Sequence, residues 1–121
     1  MDILTATSQK EGAIRIVVVD DHPNTAATLA RAIAHLGDKI DAVPAITGKQ
    51  ALEYATHAAI DILITDMMMP DMNGLELIER LQSHPSGRPA CIILMTAYGI
   101  PGLKETARRL NVKDVLLKPI P

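Results

Sequence analysis

Hydrophobic positions along this chain alternate between apolar runs and helical spacing. Ile14 to Val19 is a β-branched run, as expected of a strand buried on both faces. From Asn24, a good helix-starting residue, Ala26, Leu29, Ala30, Ile33 and Ala34 recur at helical intervals until Gly37. Lys39 to Ile46 is a weaker strand, and its Pro44, which cannot donate to a ladder, assigns it to a sheet edge. Thr47 opens a second helix carrying Ala51, Leu52 and Ala55, and Asp61 to Thr65 is another buried strand. The turn Pro70-Asp71-Met72-Asn73-Gly74 leads into a third helix with Leu75, Leu77, Ile78 and Leu81 facing inward. Ser83 to Pro89 reads as a polar loop, Cys91 to Met95 as the fourth strand, Pro101 to Leu110 as a short helix and Asp114 to Leu117 as the fifth strand. This (βα)₄β order predicts one α/β domain over residues 13–121, a parallel sheet with right-handed crossovers, preceded by a flexible polar arm at residues 1–12.

Composition narrows the class. Apolar residues make up 48% of the 121 positions, yet aromatics only 2%, so the core must be built from Ile, Leu, Val, Ala and Met. A net charge of -2 with both signs interspersed gives no electrostatic case for nucleic acid or membrane. The single cysteine, Cys91, rules out an internal disulfide or a cysteine metal site, and is expected to be a buried, inert thiol in a reducing cytoplasm. Neither a signal peptide nor an apolar run of membrane-spanning length occurs in the sequence.

The candidate chemistry stands at strand ends. Asp20 and Asp21 follow the first strand, Asp66 the third, Thr96 the fourth and Lys118 the fifth. In a parallel sheet with helical crossovers all of these ends share one edge, where ligands bind. Carboxylates brought side by side repel unless a cation or proton neutralises them, so the set implies a divalent metal and an anion. Singly, each residue has a plain reading: Asp20-Asp21 as a helix cap, Thr96 as a strand-end cap, Lys118 as a snorkelling surface lysine. Their joint placement favours a site. Met67, Met68, Met69 and Met72 have no Cys or His beside them and read as adaptable packing, not a soft-metal centre. His22, His35, His57 and His84 lack metal-ligand spacing and read as surface or packing residues, although His22 adjoins the acidic pair. Lys104, Arg108, Arg109 and Lys113 form a basic side of the fourth helix, most simply a solvated face.

Four motifs in this order, Val19-Asp20-Asp21, Asp66-Met67-Met68-Met69-Pro70-Asp71-Met72-Asn73-Gly74, Met95-Thr96-Ala97 and Lys118-Pro119, resemble those of a bacterial two-component response regulator receiver domain. The resemblance covers roughly residues 14 to 120. It implies a flavodoxin-like, doubly wound five-stranded sheet in the order 2-1-3-4-5. It also implies that Asp66 takes a phosphoryl group from a phosphohistidine on a partner histidine kinase or phosphotransfer protein. Mg²⁺ would be held by Asp21, Asp66 and the backbone carbonyl of Met68, with Asp20 acting through a water. Lys118 would offset phosphoryl charge and Thr96 would bind a phosphoryl oxygen, drawing its loop inward. Tyr98, two residues on, would overlook that group. The fourth helix would border a surface for a downstream effector or a homodimer.

The chain also departs from the family. Val115 stands where an aromatic residue is usual, and the sequence stops at Pro121, where the family continues into a fifth helix, so a truncated receiver is expected. An aspartyl-phosphate phosphatase of the haloacid-dehalogenase kind would need an Asp at Met68, so a phosphoacceptor is expected instead of an enzyme. The intact acidic set and Lys118 argue against a pseudo-receiver that only binds partners. Val19-Asp20-Asp21-His22-Pro23 replaces the glycine-rich turn that nucleotide binding would need.

Overall fold

A computed structural model describes residues 12–84, 88–97 and 99–118. Most of the expected N-terminal arm, part of the polar loop, Tyr98 and Pro119 lie outside the described residues. Five strands, β1 (Ile14–Val19), β2 (Ile40–Ala45), β3 (Ile62–Asp66), β4 (Cys91–Thr96) and β5 (Asp114–Leu117), form one sheet in the order β2-β1-β3-β4-β5. All neighbours pair in parallel, so the expected order is borne out. β2 is an edge strand, and Pro44, opposite Val18, lies there exposed.

Four helices alternate with the strands: α1 (Pro23–Ala34), α2 (Gly48–His57), α3 (Gly74–Gln82) and α4 (Leu103–Arg109). α1 starts one residue before Asn24, because Pro23 occupies its first turn, where a fixed φ helps and a missing N–H costs nothing. The Thr47 side chain caps α2 by accepting from the Gln50 N–H at 3.0 Å. At α3 the Asn73 side chain accepts from the Glu76 N–H, while Glu76 accepts from the Asn73 N–H, a reciprocal capping box. α4 starts two residues after Pro101, because Gly102 preceding it has φ 79°, outside the helical range.

Successive strand residues point to opposite faces, which gives two apolar layers. On one face Val17, Val19, Leu63, Ile92 and Leu94 pack with Ala51 and Ala55 of α2, Leu77, Ile78 and Leu81 of α3, and Leu103 of α4. Leu63, Leu77 and Leu94 are fully buried, and each such side chain contributes about 1.5–3 kcal/mol relative to exposure. On the other face Ile16 and Val18 meet Ala30, Leu29 and Ile33 of α1, with Ile40, Ala42, Ile62 and Ile64 at the margin. α1 is the only helix in that layer among the described residues, and Ile62, Ile64 and Ile93 stay half-buried there. Cys91, expected to be buried, is partly exposed, because it opens β4 at the margin of the sheet.

Candidate functional site

The C-terminal strand ends meet as the topology requires. Asp20 follows β1 and is fully buried; its N–H donates to the Ala45 carbonyl at 3.0 Å. Asp66 closes β3 and is 5% exposed, and the next N–H, of Met67, donates to Met95 O at 2.7 Å. Thr96 closes β4, buried, and its carbonyl accepts from the Lys118 N–H at 2.7 Å. That bond extends the β4–β5 ladder by one residue and aims Lys118 across the sheet edge. Its Nζ lies 3.0 Å from Asp20 Oδ2 and 3.4 Å from Asp66 Oδ2. Two carboxylates, 98 and 52 positions before Lys118 in sequence, thus share its ammonium.

Asp21 and His22 complete the front of the site. Asp21 Oδ1 is shut off from solvent yet accepts no hydrogen bond. His22 Nδ1 lies 3.0 Å from Asp20 Oδ1 and 3.2 Å from Asp21 Oδ1, and the His22 N–H donates to Asp20 Oδ1 at 3.0 Å. One ligand atom from each of Asp20, Asp21 and His22 falls within 4.8 Å of the others. His22 is thus a surface residue, 70% exposed, as expected, and its ring also touches the acidic pair that it adjoins in sequence. The other histidines fit that expectation where their surroundings are defined: His35 is exposed and lies 2.7 Å from the carbonyl of Arg31.

The loop after Asp66 is pinned at both ends. Gly74 N–H donates to Met67 O at 2.8 Å, and Gly74 itself is buried against the Asp66 carbonyl. The Asp71 carboxylate accepts from the Gly48 and Lys49 N–H groups at 3.4 and 3.2 Å, capping α2 from across the molecule. The Met72 side chain lies over Gly48, where any Cβ would meet it. Met67 is buried, Met69 and Met72 pack on the core, and the Met68 side chain is 59% exposed. Met67, Met69 and Met72 thus pack as expected, whereas the Met68 side chain, turned outward, does not. Sequence reading missed Asp71 and the close approach at Gly74, since both depend on contacts between distant segments; Asn73-x-x-Glu76 was a legible capping signal that it passed over.

Charges in the site are coupled. Burial pushes the Asp20 carboxyl up, but the His22 N–H, Lys118 and the His22 ring together outweigh it and leave its pKa below the ordinary value. Asp66 goes the other way: burial, reinforced by the Asp20 charge, prevails over the Lys118 ammonium and raises its pKa. Burial lowers Lys118, but its hydrogen bond to Asp20 and the charges of Asp66 and Asp20 raise it overall. The hydrogen bond to Asp20, then the Asp21 and Asp20 charges, raise His22. Asp20 and Asp21, the latter with an oxygen that accepts no hydrogen bond, offer carboxylate donors of the kind that suits a hard divalent cation, and Asp66 stands at the neighbouring strand end.

The sequence model of the response regulator receiver domain matches residues 16–121. The chain belongs to this family. Among receiver relatives, the probable chemotaxis protein CheY of Rhizobium etli is 30% identical over 106 residues, 88% of this chain and 81% of that protein. The signal transduction histidine-protein kinase BarA of Shigella flexneri is 33% identical over 119 residues, 98% of this chain. This receiver spans only 13% of that kinase. In fold it is similar to the Vibrio cholerae chemotaxis protein CheY4, with TM-score 0.81 and 23% identity over 90% of this chain and 89% of that one. The response regulator TrrA of Thermotoga maritima, solved in complex with Mg²⁺-BeF, has TM-score 0.71 and 27% identity over 88% of this receiver and 87% of that chain. Among the described residues no helix is long and apolar enough to cross a membrane.

Proposed function

We propose that residues 13–121 act as a receiver whose Asp66 accepts a phosphoryl group from the phosphohistidine of a cytoplasmic histidine kinase or phosphotransfer protein. The observation that carries this reading is the Lys118 ammonium set between Asp20 and Asp66, 3.0 and 3.4 Å from their carboxylates. An Asp66 oxygen attacks phosphorus, the new O–P bond forms as the donor bond to nitrogen breaks, and the imidazole leaves with the electron pair. Asp20, Asp21, Asp66 and the Met68 carbonyl would hold Mg²⁺, which supplies neutralising charge for the phosphoryl oxygens when bound. Lys118 contributes a second positive charge without needing to be recruited, because its backbone is already tied to Thr96. Thr96 supplies a hydroxyl at the neighbouring strand end.

The reaction is self-catalysed phosphotransfer onto the chain's own residue, so the domain acts as a switch and not as an enzyme on a separate substrate. Among the described residues a hollow of about 470 Å³ is lined by Thr96, Gly99, Ile100, Leu103, Val115 and Leu117, beside the strand end that carries Thr96. The exposed residues Lys104, Arg108 and Arg109 of α4, with Lys113 just beyond it, are the readout surface for an effector or a second copy.

Incubation with acetyl phosphate and Mg²⁺ should add one acid-stable, base-labile phosphoryl mass. Asp66→Asn protein and excess EDTA should each abolish it. Equal labelling of that variant would remove Asp66 as the acceptor, and a parent that binds partners but never labels would be a pseudo-receiver.

A further inference from the structure

We infer that Asp71 is a positioning residue for the cation site: its carboxylate clips the loop after β3 to the start of α2 and thereby holds the Met68 carbonyl in place as a ligand. The inference rests on the cation reading above and concerns what keeps one of its ligands aimed. A backbone carbonyl is aimed by the chain alone, so either the packing of its own side chain or anchorage of the chain on both sides must fix it. Met68 lacks the first, because its side chain is 59% exposed. On the N-terminal side the chain is tied at the base of the loop, where the Met67 N–H donates to Met95 O at 2.7 Å and Met67 O accepts from the Gly74 N–H at 2.8 Å. On the C-terminal side the Asp71 carboxylate accepts from the Gly48 N–H at 3.4 Å and the Lys49 N–H at 3.2 Å, 23 and 22 positions away in sequence. The Met72 side chain reinforces this clip by lying over Gly48, where a Cβ would meet Met72 Cγ at 2.5 Å. Met69 packs on the core between the two anchors, but a flexible thioether follows small backbone shifts that a pair of hydrogen bonds resists.

The carboxylate is held from both sides. Burial pushes it up, but the N–H groups of Lys49, Gly48, Met72 and Asp71 itself outweigh burial and leave its pKa below the ordinary value, so it bonds the backbone of its own loop as well as α2. Thr47 caps the same helix end, but its bond, from the Gln50 N–H at 3.0 Å, is internal to that end. The two caps therefore separate helix stability from loop position.

Calorimetric titration of the full chain with Mg²⁺ is the test, run on the parent, Asp71→Ala, Asp71→Asn and Thr47→Ala, with urea unfolding of each to measure the lost cap separately. Asp71→Ala should lose about tenfold in Mg²⁺ affinity, as does a ligand deprived of its outer-shell partner. Asp71→Asn, which keeps an accepting oxygen, should restore it. Thr47→Ala should lose stability as cap variants do, yet bind Mg²⁺ as the parent does. In amide NMR spectra, Mg²⁺ should shift the Gly48 and Lys49 resonances of the parent but not those of Asp71→Ala, because the clip carries the effect to α2. Unchanged Mg²⁺ affinity in Asp71→Ala, or equal weakening by Thr47→Ala, would overturn the inference and leave the cation reading standing. A parent that binds no Mg²⁺ would overturn both.

Discussion

Replacing Gly74 with alanine should damage both the stability of this domain and its phosphoacceptor geometry. Gly74 opens α3 directly beneath the end of β3, where a Cβ would lie 2.5 Å from the Asp66 carbonyl oxygen, 2.9 Å from Leu94 Cδ1 and 3.1 Å from Met67 Cα. Two of these obstacles are backbone atoms of the site, held by the bond from Met67 N to Met95 O, so they cannot swing aside as a flexible side chain would. Overpacking of this kind costs about 1–3 kcal/mol, and the higher helix propensity of alanine offsets at most about 1 kcal/mol of it. A net loss of about 1–2 kcal/mol is expected. With about 2.1 cal/mol/K of unfolding entropy per residue over 121 residues, that loss lowers Tm by about 4–8 °C. Thermal unfolding followed by circular dichroism measures it. Gly99→Ala is the control, since nothing lies within 4 Å of its Cβ position and its Tm should barely move. The surviving Gly74→Ala protein should also phosphorylate more slowly, because Asp66 has to shift. A Gly74→Ala melting within about 2 °C of the parent would refute the reasoning.

Opposite pKa directions in one site predict opposite stability effects. The lowered Asp20 contributes stability that is present above the ordinary value of 3.8 and lost as pH falls through its own pKa, whereas the raised Asp66 costs stability at neutral pH, a cost relieved as pH falls through its own higher value. In Mg²⁺-free buffer at pH 7, Asp66→Asn should therefore melt above the parent and Asp20→Asn below it; the reverse order would show that the coupling is misassigned. Asp71→Ala should lose about 0.5–2 kcal/mol by urea unfolding, as expected for a lost helix cap, while Asp71→Asn, which keeps an accepting oxygen, should recover most of it. Val115 is β-branched, half-buried and packed on the core, so it has few rotamers and should stay nearly static between free and beryllofluoride-bound crystal structures while the loop after Thr96 moves. A large Val115 rearrangement with a still loop would contradict that route.

The sheet was legible because β1, β3 and β4 are apolar runs bounded by turn residues, and because Pro44 marked its own weaker strand as the edge. The cluster of Asp20, Asp66, Thr96 and Lys118 was legible for a different reason, since a parallel sheet brings strand ends together whatever the side-chain details. Contacts made outside that logic were not. Asp71 reaches α2 across 22 and 23 positions of sequence, and only the folded loop aims its carboxylate at Gly48 and Lys49. His22 is the surface residue it looked like, but spacing alone gives no reason for its ring to turn back toward the two preceding carboxylates; the N–H bond to Asp20 and the start of α1 at Pro23 supply it. Helix starts shifted by one or two residues where a proline or a left-handed glycine decided them.

The most direct test of the central claim is to locate the phosphoryl group on the chain. After reaction with acetyl phosphate and Mg²⁺, reduction with borohydride converts an acyl phosphate to homoserine, and peptide mass mapping identifies the converted residue. Conversion confined to Asp66, and absent when Mg²⁺ is chelated, is the expected result. Homoserine at Asp20 or Asp21, or equal conversion at Asp66 without a divalent cation, would contradict the reading of this strand edge as a cation-dependent phosphoacceptor site.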